Sequence, residues 1–341
     1  MHIVGQIIEK NLHRRDHCLT GLWINPDKHD NWRSAQNHCA GLKLFSQDYG
    51  CYQFLKFSGA DIEFAAFPQT PVNSYQWLIL NLPRQKAQLD MMLDCAAGLL
   101  TDDGVLWLAG ENRAGIKSSD KQLKSHFERV RKLDNARHCT LFEARNRLKH
   151  SQFIGGAYQQ KWALTCGKSE ISISSYPGVF AHGRLDAGTA LLLESLSELQ
   201  FEGQVLDFAC GAGLLGACIA KNHPHTNVTL LDSNALALKA SEETLAGNQL
   251  GGSVLASDGL SEVKENYDYV ISNPPIHSGY KTDNLLSQRL LATVHEHINP
   301  GGTLIMVANL HLPYENWLSQ RFRQIRKLAA NRHFKVIAAT K

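Results

Sequence analysis

The feature that most constrains this chain is a regular alternation of strand and helix signals that begins at Val205. Residues 205–208 form a short run carrying Asp207 and leading into a glycine turn, and residues 214–221 then have helix-forming composition. Residues 228–231 repeat the strand signal and stop at Asp232, and residues 235–246 read as a helix with Ser233 and Asn234 available as caps. A third unit starts near Val254. Residues 267–272 form a fourth apolar run that breaks at Pro274, and residues 285–297 read as a helix stopped by Gly301-Gly302 before a strand at 303–307. Alternation of this kind predicts an α/β domain, a mostly parallel sheet covered on both faces by helices.

The first half carries a weak echo of the same pattern. The segment 75–83 aligns without gaps on 267–275, with Tyr75, Ile79, Asn81 and Pro83 matched by Tyr267, Ile271, Asn273 and Pro275. Downstream, residues 103–108 resemble 301–306 in pattern. This points to an ancient duplication. The first copy has no glycine-rich loop after a strand, so only the second keeps equipment for a nucleotide-like ligand. The boundary is expected near strand-like pieces around Trp162 and Ile171, giving domains at 1–160 and 161–341.

With 43% hydrophobic and 20% charged residues, and glycine and proline spread without a period, the chain is globular rather than collagen-like, low-complexity or disordered. A net charge of +3 names no polyanionic partner, but residues 113–149 hold a local basic excess on a near-neutral body. The eight cysteines include no CxxC pair and no zinc-like spacing, so no metal is expected and the thiols read as buried small hydrophobes. The first fifteen residues show no secretory pattern, and no run of about 20 apolar residues occurs. The expectation is a reducing, cytoplasmic setting with no membrane association.

The chemistry centres on two motifs. In Asp207-Phe208-Ala209-Cys210-Gly211-Ala212-Gly213, a strand meets a helix where glycines let backbone approach a ligand at the sheet's carboxyl edge. Gly211, Gly213 and Gly216 also match the dinucleotide pattern GxGxxG, a weak signal alone. Asp207 argues against a pyrophosphate, which its carboxylate would repel, and suits an amino-acid ammonium group. Asp232, ending the next strand, is placed to take two ribose hydroxyls, or else is a helix N-terminal acid. Asp258 could accept from an adenine amino group, although Asp258-Gly259 is also a common turn. Ala209 within this loop is tolerable if its φ is negative.

Asn273-Pro274-Pro275 is the second motif. Two prolines stiffen the loop, and an amide oxygen with the Pro274 carbonyl forms a rigid pair of acceptors for the two hydrogens of a planar NH2. The nitrogen's out-of-plane face is then presented to an electrophilic methyl group. The bland alternative is a turn ending a strand.

Taken with Tyr176-Pro177-Gly178-Val179-Phe180, the stretch from Gly183 to Leu193 and Ala308-Asn309-Leu310-His311-Leu312-Pro313-Tyr314, these motifs resemble class I S-adenosylmethionine-dependent methyltransferases that act on amino nitrogens. Within that class they look like the family that methylates guanine N2 in small-subunit ribosomal RNA. The resemblance implies two tandem Rossmann-like methyltransferase domains, each with a seven-stranded, mostly parallel sheet. The first would be degenerate and serve RNA binding or structural support; the second would be catalytic. It implies S-adenosylmethionine as cofactor, S-adenosylhomocysteine as product, and 16S ribosomal RNA, in the small subunit or an assembly intermediate, as substrate of a monomeric enzyme. Asn273, Pro274 and Pro275 become the catalytic residues, without a dedicated general base. Asp207, Cys210, Gly211, Gly213, Asp232, Asp258 and Asn273 become cofactor-binding residues, and Phe180, Ile276, His277 and Tyr280 substrate-binding ones. One departure is Ile276, where the family has an aromatic residue that stacks on the base; Tyr280 or Phe180 could supply a ring instead. Two basic groups, Arg113, Lys117, Lys121, Lys124, Arg129, Arg131, Lys132 and Arg137, then Arg321, Arg323, Arg326 and Lys327, are candidate phosphate contacts or else solvated helix faces. Alternatives are another amino acceptor (large-subunit guanine N2, adenine N6 or a protein glutamine), an NAD-dependent oxidoreductase, and an RNA-binding protein without catalysis.

Overall fold

Strand residues in the second half sort alternately into two buried clusters. Val205, Val228, Leu230, Ile271 and Ile305 lie in one, and Leu206, Leu231, Val270, Leu304 and Met306 in the other. Both faces of the sheet are therefore buried, which is why these strands read as apolar runs instead of a polar alternation. Each fully buried Leu or Ile contributes about 1.5–3 kcal/mol to holding the layers together. The computed structural model describes residues 2–148, 152–167, 169–274 and 290–341, and the chain divides into two units, Met1–Gln159 and Gln160–Lys341.

In the first unit the sheet strands are β1 Cys18–Ile24, β2 Cys39–Ser46, β3 Ile62–Phe64, β4 Tyr75–Asn81, β5 Leu100–Glu111, β6 Phe127–Ala136 and β7 Cys139–Arg147, ordered β3-β2-β1-β4-β5-β7-β6. The second unit opens with an antiparallel pair, β8 Gln160–Cys166 and β9 Ser169–Ser175. Its sheet comprises β10 Gly203–Phe208, β11 Thr226–Asp232, β12 Ser253–Ala256, β13 Tyr267–Ser272, β14 Ile298–Asn309, β15 Gln324–Ala330 and β16 Phe334–Thr340, ordered β12-β11-β10-β13-β14-β16-β15. In each, the next-to-last strand of that order, β7 or β16, runs antiparallel to its neighbours. Helix α1, Ile3–Asn11, precedes β1. In the second unit α2, Ala187–Leu196, precedes β10; α3, Leu214–Asn222, follows it; and α4, Ala235–Gly247, follows β11.

The two sheets agree beyond strand order. Between β4 and β5 the pairing jumps from Tyr75↔Leu100 to Trp77↔Val105, and between β13 and β14 it jumps from Tyr267↔Ile298 to Tyr269↔Thr303. A bulge reproduced at the same place is a conserved constructional detail, as expected of duplicated units. It also corrects one reading. Gly301-Gly302 does not stop a helix; β14 already starts at Ile298, and the glycines lie in its irregular stretch, where a Cβ on Gly302 would come within 2.9 Å of the Asp268 carbonyl. Of the expected helix at 285–297, residues 290–293 are helical and Val294–His297 form a 3-10 turn, while 285–289 lie outside the described residues.

Candidate functional site

Strand β10 ends at Phe208, and the chain turns through Ala209 (φ 58), Gly211 (φ 56) and Gly213 (φ 73) into α3. The expectation of a negative φ at Ala209 is thus overturned. The turn needs a left-handed residue there, and alanine carries that strain. A Cβ added at Gly211 would meet nothing within 4 Å, whereas one at Gly213 would come within 2.6 Å of Leu230. Gly211 accordingly borders open space, and Gly213 permits close packing of loop against sheet.

Asp207 lies beneath this loop and is 0% exposed. Its Oδ2 accepts the Gly216 N–H at 2.8 Å, while Oδ1 has no partner among the described residues. Burial, reinforced by the nearby Asp232 charge, raises its pKa to about 7 against the hydrogen bond from Gly216. Asp232, half-buried at the end of β11, accepts the Gly211 N–H at 3.0 Å through Oδ2 and the Asn234 N–H at 2.9 Å through Oδ1. Asn234 caps α4 by accepting the Leu236 N–H. Cys210 is buried with its thiol 3.3 Å from the Ser241 hydroxyl, and burial pushes its pKa up. Asp258 is exposed, two residues beyond β12, in a turn whose Gly259 has φ 64.

Ser272, the last residue of β13, pairs with Phe208, so Asn273 emerges beside Ala209 at the carboxyl edge. The Asn273 Nδ2 donates to the Thr189 hydroxyl oxygen at 2.7 Å and to Asp186 Oδ2 at 3.3 Å. Asn273, Cys210, Gly211 and Phe180 all line one pocket, an open cleft of about 460 Å³ including its mouth. Phe180 is 46% exposed there, and Pro274 is buried. Pro275, Ile276, His277 and Tyr280 lie outside the described residues. The pocket also contains Trp162, Arg184, Asp186 and Thr189, to which sequence reading assigned no role. Asp186, a helix-capping acid three residues before Thr189 and just ahead of an apolar run, was the available signal. Asp207, Asp232 and Asp258 stand at the same sheet edge without lining the cleft.

The first unit carries different residues at the equivalent positions. Pairing registers set Trp23 where Asp207 stands, Asn25 (φ 52) where Ala209 stands, Ser46 where Asp232 stands and Asn81 at the Asn273 position. Trp23 is 1% exposed and donates its indole N–H to Asn81 Oδ1 at 3.0 Å. Asn81 donates in turn to Asp30 Oδ2 at 3.2 Å. A large ring and its hydrogen bonds thus fill the position of the second unit's buried carboxylate.

The basic groups are unequal. Lys124 pairs with Asp120 at 2.6 Å, Arg131 with Glu143 at 2.8 Å, Arg113 with Glu111, and Arg137 bonds Gln6. Lys117, Lys121, Arg129 and Lys132 are exposed without an acidic partner among the described residues, as are Arg321, Arg323, Arg326 and Lys327. Arg129, Arg131 and Lys132 lie on β6, and Arg326 and Lys327 on β15, equivalent edge strands of the two sheets. Among the described residues no three His, Cys, Asp or Glu are grouped to hold a metal, and no helix is long and apolar enough to cross a membrane.

Comparison with known proteins agrees with this layout. The model of the methyltransferase small domain matches residues 170–338, and that of its N-terminal companion matches residues 10–162. A ribosomal RNA small subunit methyltransferase C from Pseudomonas paraeruginosa is 40% identical over 271 residues, 80% of this chain and 81% of that protein. One from Aliivibrio fischeri is 34% identical over 305 residues, 89% of each. Among solved structures, a T. thermophilus 16S rRNA N2 methyltransferase in complex with AdoMet and guanosine superposes with a TM-score of 0.85 at 21% identity, covering 98% of this chain and 92% of that one, so the fold is shared along essentially the whole length. With both units matched in sequence and architecture, the chain belongs to the ribosomal RNA small subunit methyltransferase C family.

Proposed function

We propose that this chain transfers a methyl group from S-adenosylmethionine to the exocyclic N2 of a guanine in 16S ribosomal RNA, acting as a cytoplasmic monomer on the small subunit or an assembly intermediate. The observation that carries this reading is the meeting of the glycine turn and Asn273 in one pocket, at the ends of the neighbouring strands β10 and β13. The names of the relatives, and the AdoMet and guanosine in the T. thermophilus neighbour, support the same substrate pair.

The residues fit the cofactor. Gly211 borders open space, the Gly216 amide in the first turn of α3 donates to Asp207, and the other carboxylate oxygen of Asp207 is buried without a partner among the described residues. Gly211, Gly213 and Cys210 would hold the amino-acid end with the Asp207 charge beneath, Asp232 the ribose hydroxyls, and Asp258 the adenine amino group. When bound, the cofactor supplies a methyl carbon activated by positive sulfur and leaves as neutral S-adenosylhomocysteine, the carbon–sulfur electron pair remaining on sulfur. Guanine N2 is a weak nucleophile because its lone pair is delocalised. The task of the chain is therefore orientation: Asn273 Oδ1 and the Pro274 carbonyl accept the N2 hydrogens, and one proton passes to solvent as N2 gains its substituent. Phe180 would cover a base that is single-stranded or flipped out; substrate roles for Ile276, His277 and Tyr280 rest on the family resemblance alone. The first unit, lacking counterparts of Asp207 and Asp232, would serve RNA binding or structural support.

Incubation with methyl-labelled S-adenosylmethionine and purified small subunits, naked 16S RNA or large subunits, followed by mapping of the modified nucleotide, tests the assignment. Label at N2 of one guanine of 16S RNA is expected. Label on adenine, on large-subunit RNA or on protein would replace the acceptor, and cofactor binding without label would leave a non-catalytic RNA-binding protein.

A further inference from the structure

We infer that Asp186 and Thr189 are positioning residues that lock the Asn273 amide with its oxygen toward the acceptor amine; this rests on the amine-methylating reading of the pocket. The polarity of an amide is settled by what its neighbours can do. Asp186 Oδ2 accepts the backbone N–H groups of Gly188 at 2.8 Å and Thr189 at 3.1 Å as the N-cap of α2, so it acts as an acceptor and can meet only the NH2 end of Asn273. That contact, at 3.3 Å, and the 2.7 Å bond to the Thr189 hydroxyl engage both Nδ2 hydrogens. Asn273 Oδ1 accepts no hydrogen bond among the described residues. The side chain is held by its nitrogen and presents its oxygen.

The first unit provides an internal comparison. There, too, a carboxylate meets the nitrogen of the corresponding amide, Asn81 Nδ2 to Asp30 Oδ2 at 3.2 Å, but the oxygen accepts the Trp23 indole N–H. The carboxylate comes from a different stretch of chain. Thr189 is the third residue of α2, and the third residue of α1 is Gly5, where a Cβ would come within 2.2 Å of Asp30 Oδ1. Asp30 thus fills space that a side chain such as Thr189 would occupy. Both units fix the amide the same way round, and only the second leaves its oxygen for a substrate.

The test uses the full chain, labelled S-adenosylmethionine and unmethylated small subunits. Thr189→Val keeps the shape and removes the acceptor. It is expected to lower kcat on the order of 10- to 100-fold, as small misplacements of reacting groups do, while leaving the KM for S-adenosylmethionine, the affinity for S-adenosylhomocysteine and the melting temperature unchanged. Thr189→Ser should restore kcat. If Thr189→Val does not fold, Thr189→Ala carries the same expectation. Asp186→Asn, which keeps an acceptor oxygen at the cap, should be milder than Asp186→Ala. Asn273→Ala is measured alongside. If it abolishes turnover while Thr189→Val, or Thr189→Ala in its place, and Asp186→Ala turn over normally, the positioning proposal falls and the site reading stands. Normal turnover by Asn273→Ala overturns the site reading itself. Parallel loss of kcat and cofactor affinity in the Thr189 variants, without rescue by serine, marks a structural role and overturns the proposal.

Discussion

At the scale of single residues, Ala209 holds a left-handed backbone, φ 58, at the turn that opens the pocket. A left-handed alanine costs about 1–2 kcal/mol, and glycine returns roughly 0.4–1 kcal/mol of this through the freer unfolded chain. Ala209→Gly should therefore stabilise the protein by about 0.5–1 kcal/mol in denaturant unfolding, and a loss of stability would refute the strain. Asp207 makes a second prediction with a definite sign. Its unfolded pKa is 3.8 and its folded value about 7, so the folded state binds the proton more tightly, and the charge costs stability increasingly as pH rises from about 4 to about 7. Asp207→Asn, which can still accept the Gly216 N–H, should gain stability over the parent at pH 8 and much less at pH 5; an equal difference at both would contradict the assignment. The same charge should favour a bound ammonium group, so S-adenosylhomocysteine affinity is expected to tighten from pH 6 to pH 8 in the parent and not in Asp207→Asn. The strand-end positions of Asp207, Asp232 and Asn273 were legible in the sequence because each lies within one residue of the end of a strand that local pattern reveals. The sign of φ at Ala209 was not, because sheet and helix impose it, and Thr189 was not, because its partner lies 84 positions away.

Elements add what single residues do not show. Part of each basic group falls on one repeated element, since Arg129, Arg131 and Lys132 on β6 and Arg326 and Lys327 on β15 occupy equivalent edge strands. Charge alone could not show that Arg131 and Arg145 share the buried Glu143, or that Arg147 is buried against Asp102. Groups already neutralised within the unit have little left for phosphate. Arg326→Gln with Lys327→Gln should reduce the slope of log affinity for RNA against log salt by about 1.5, whereas Arg131→Gln should change it little. Equal slopes for all three proteins would remove β15 from the interface. The glycine pair at 301–302 gives the complementary lesson. The pair reads as a helix stop and instead lies inside β14, because the bulge it permits depends on pairing with β13, which no local window contains.

For the whole molecule, the two units pose one question twice: what must a sheet edge keep in order to bind? Strand order, the bulge between the fourth and fifth strands, a left-handed residue after the first strand and an asparagine at the end of the fourth are common to both. The fold therefore tolerates exchange of its strand-end side chains, since apolar burial sets the architecture and a few strand-end side chains set the chemistry. Trp23 in the position of Asp207 shows the exchange plainly: a ring that is 1% exposed adds to the core and closes the space. Ligand binding should then be confined to one unit. At a concentration near 100 times its Kd, S-adenosylhomocysteine stabilises the state that binds it by about 2.7 kcal/mol. Hydrogen exchange should slow at residues 207–213, 232–234 and 271–274 and remain unchanged at the equivalent 23–27, 46–48 and 79–82. Protection in the first set alone would assign cofactor binding to the second unit. Equal protection in the second set would mean that the Trp23-filled edge still opens to a nucleoside, and the division of labour between the units would have to be abandoned.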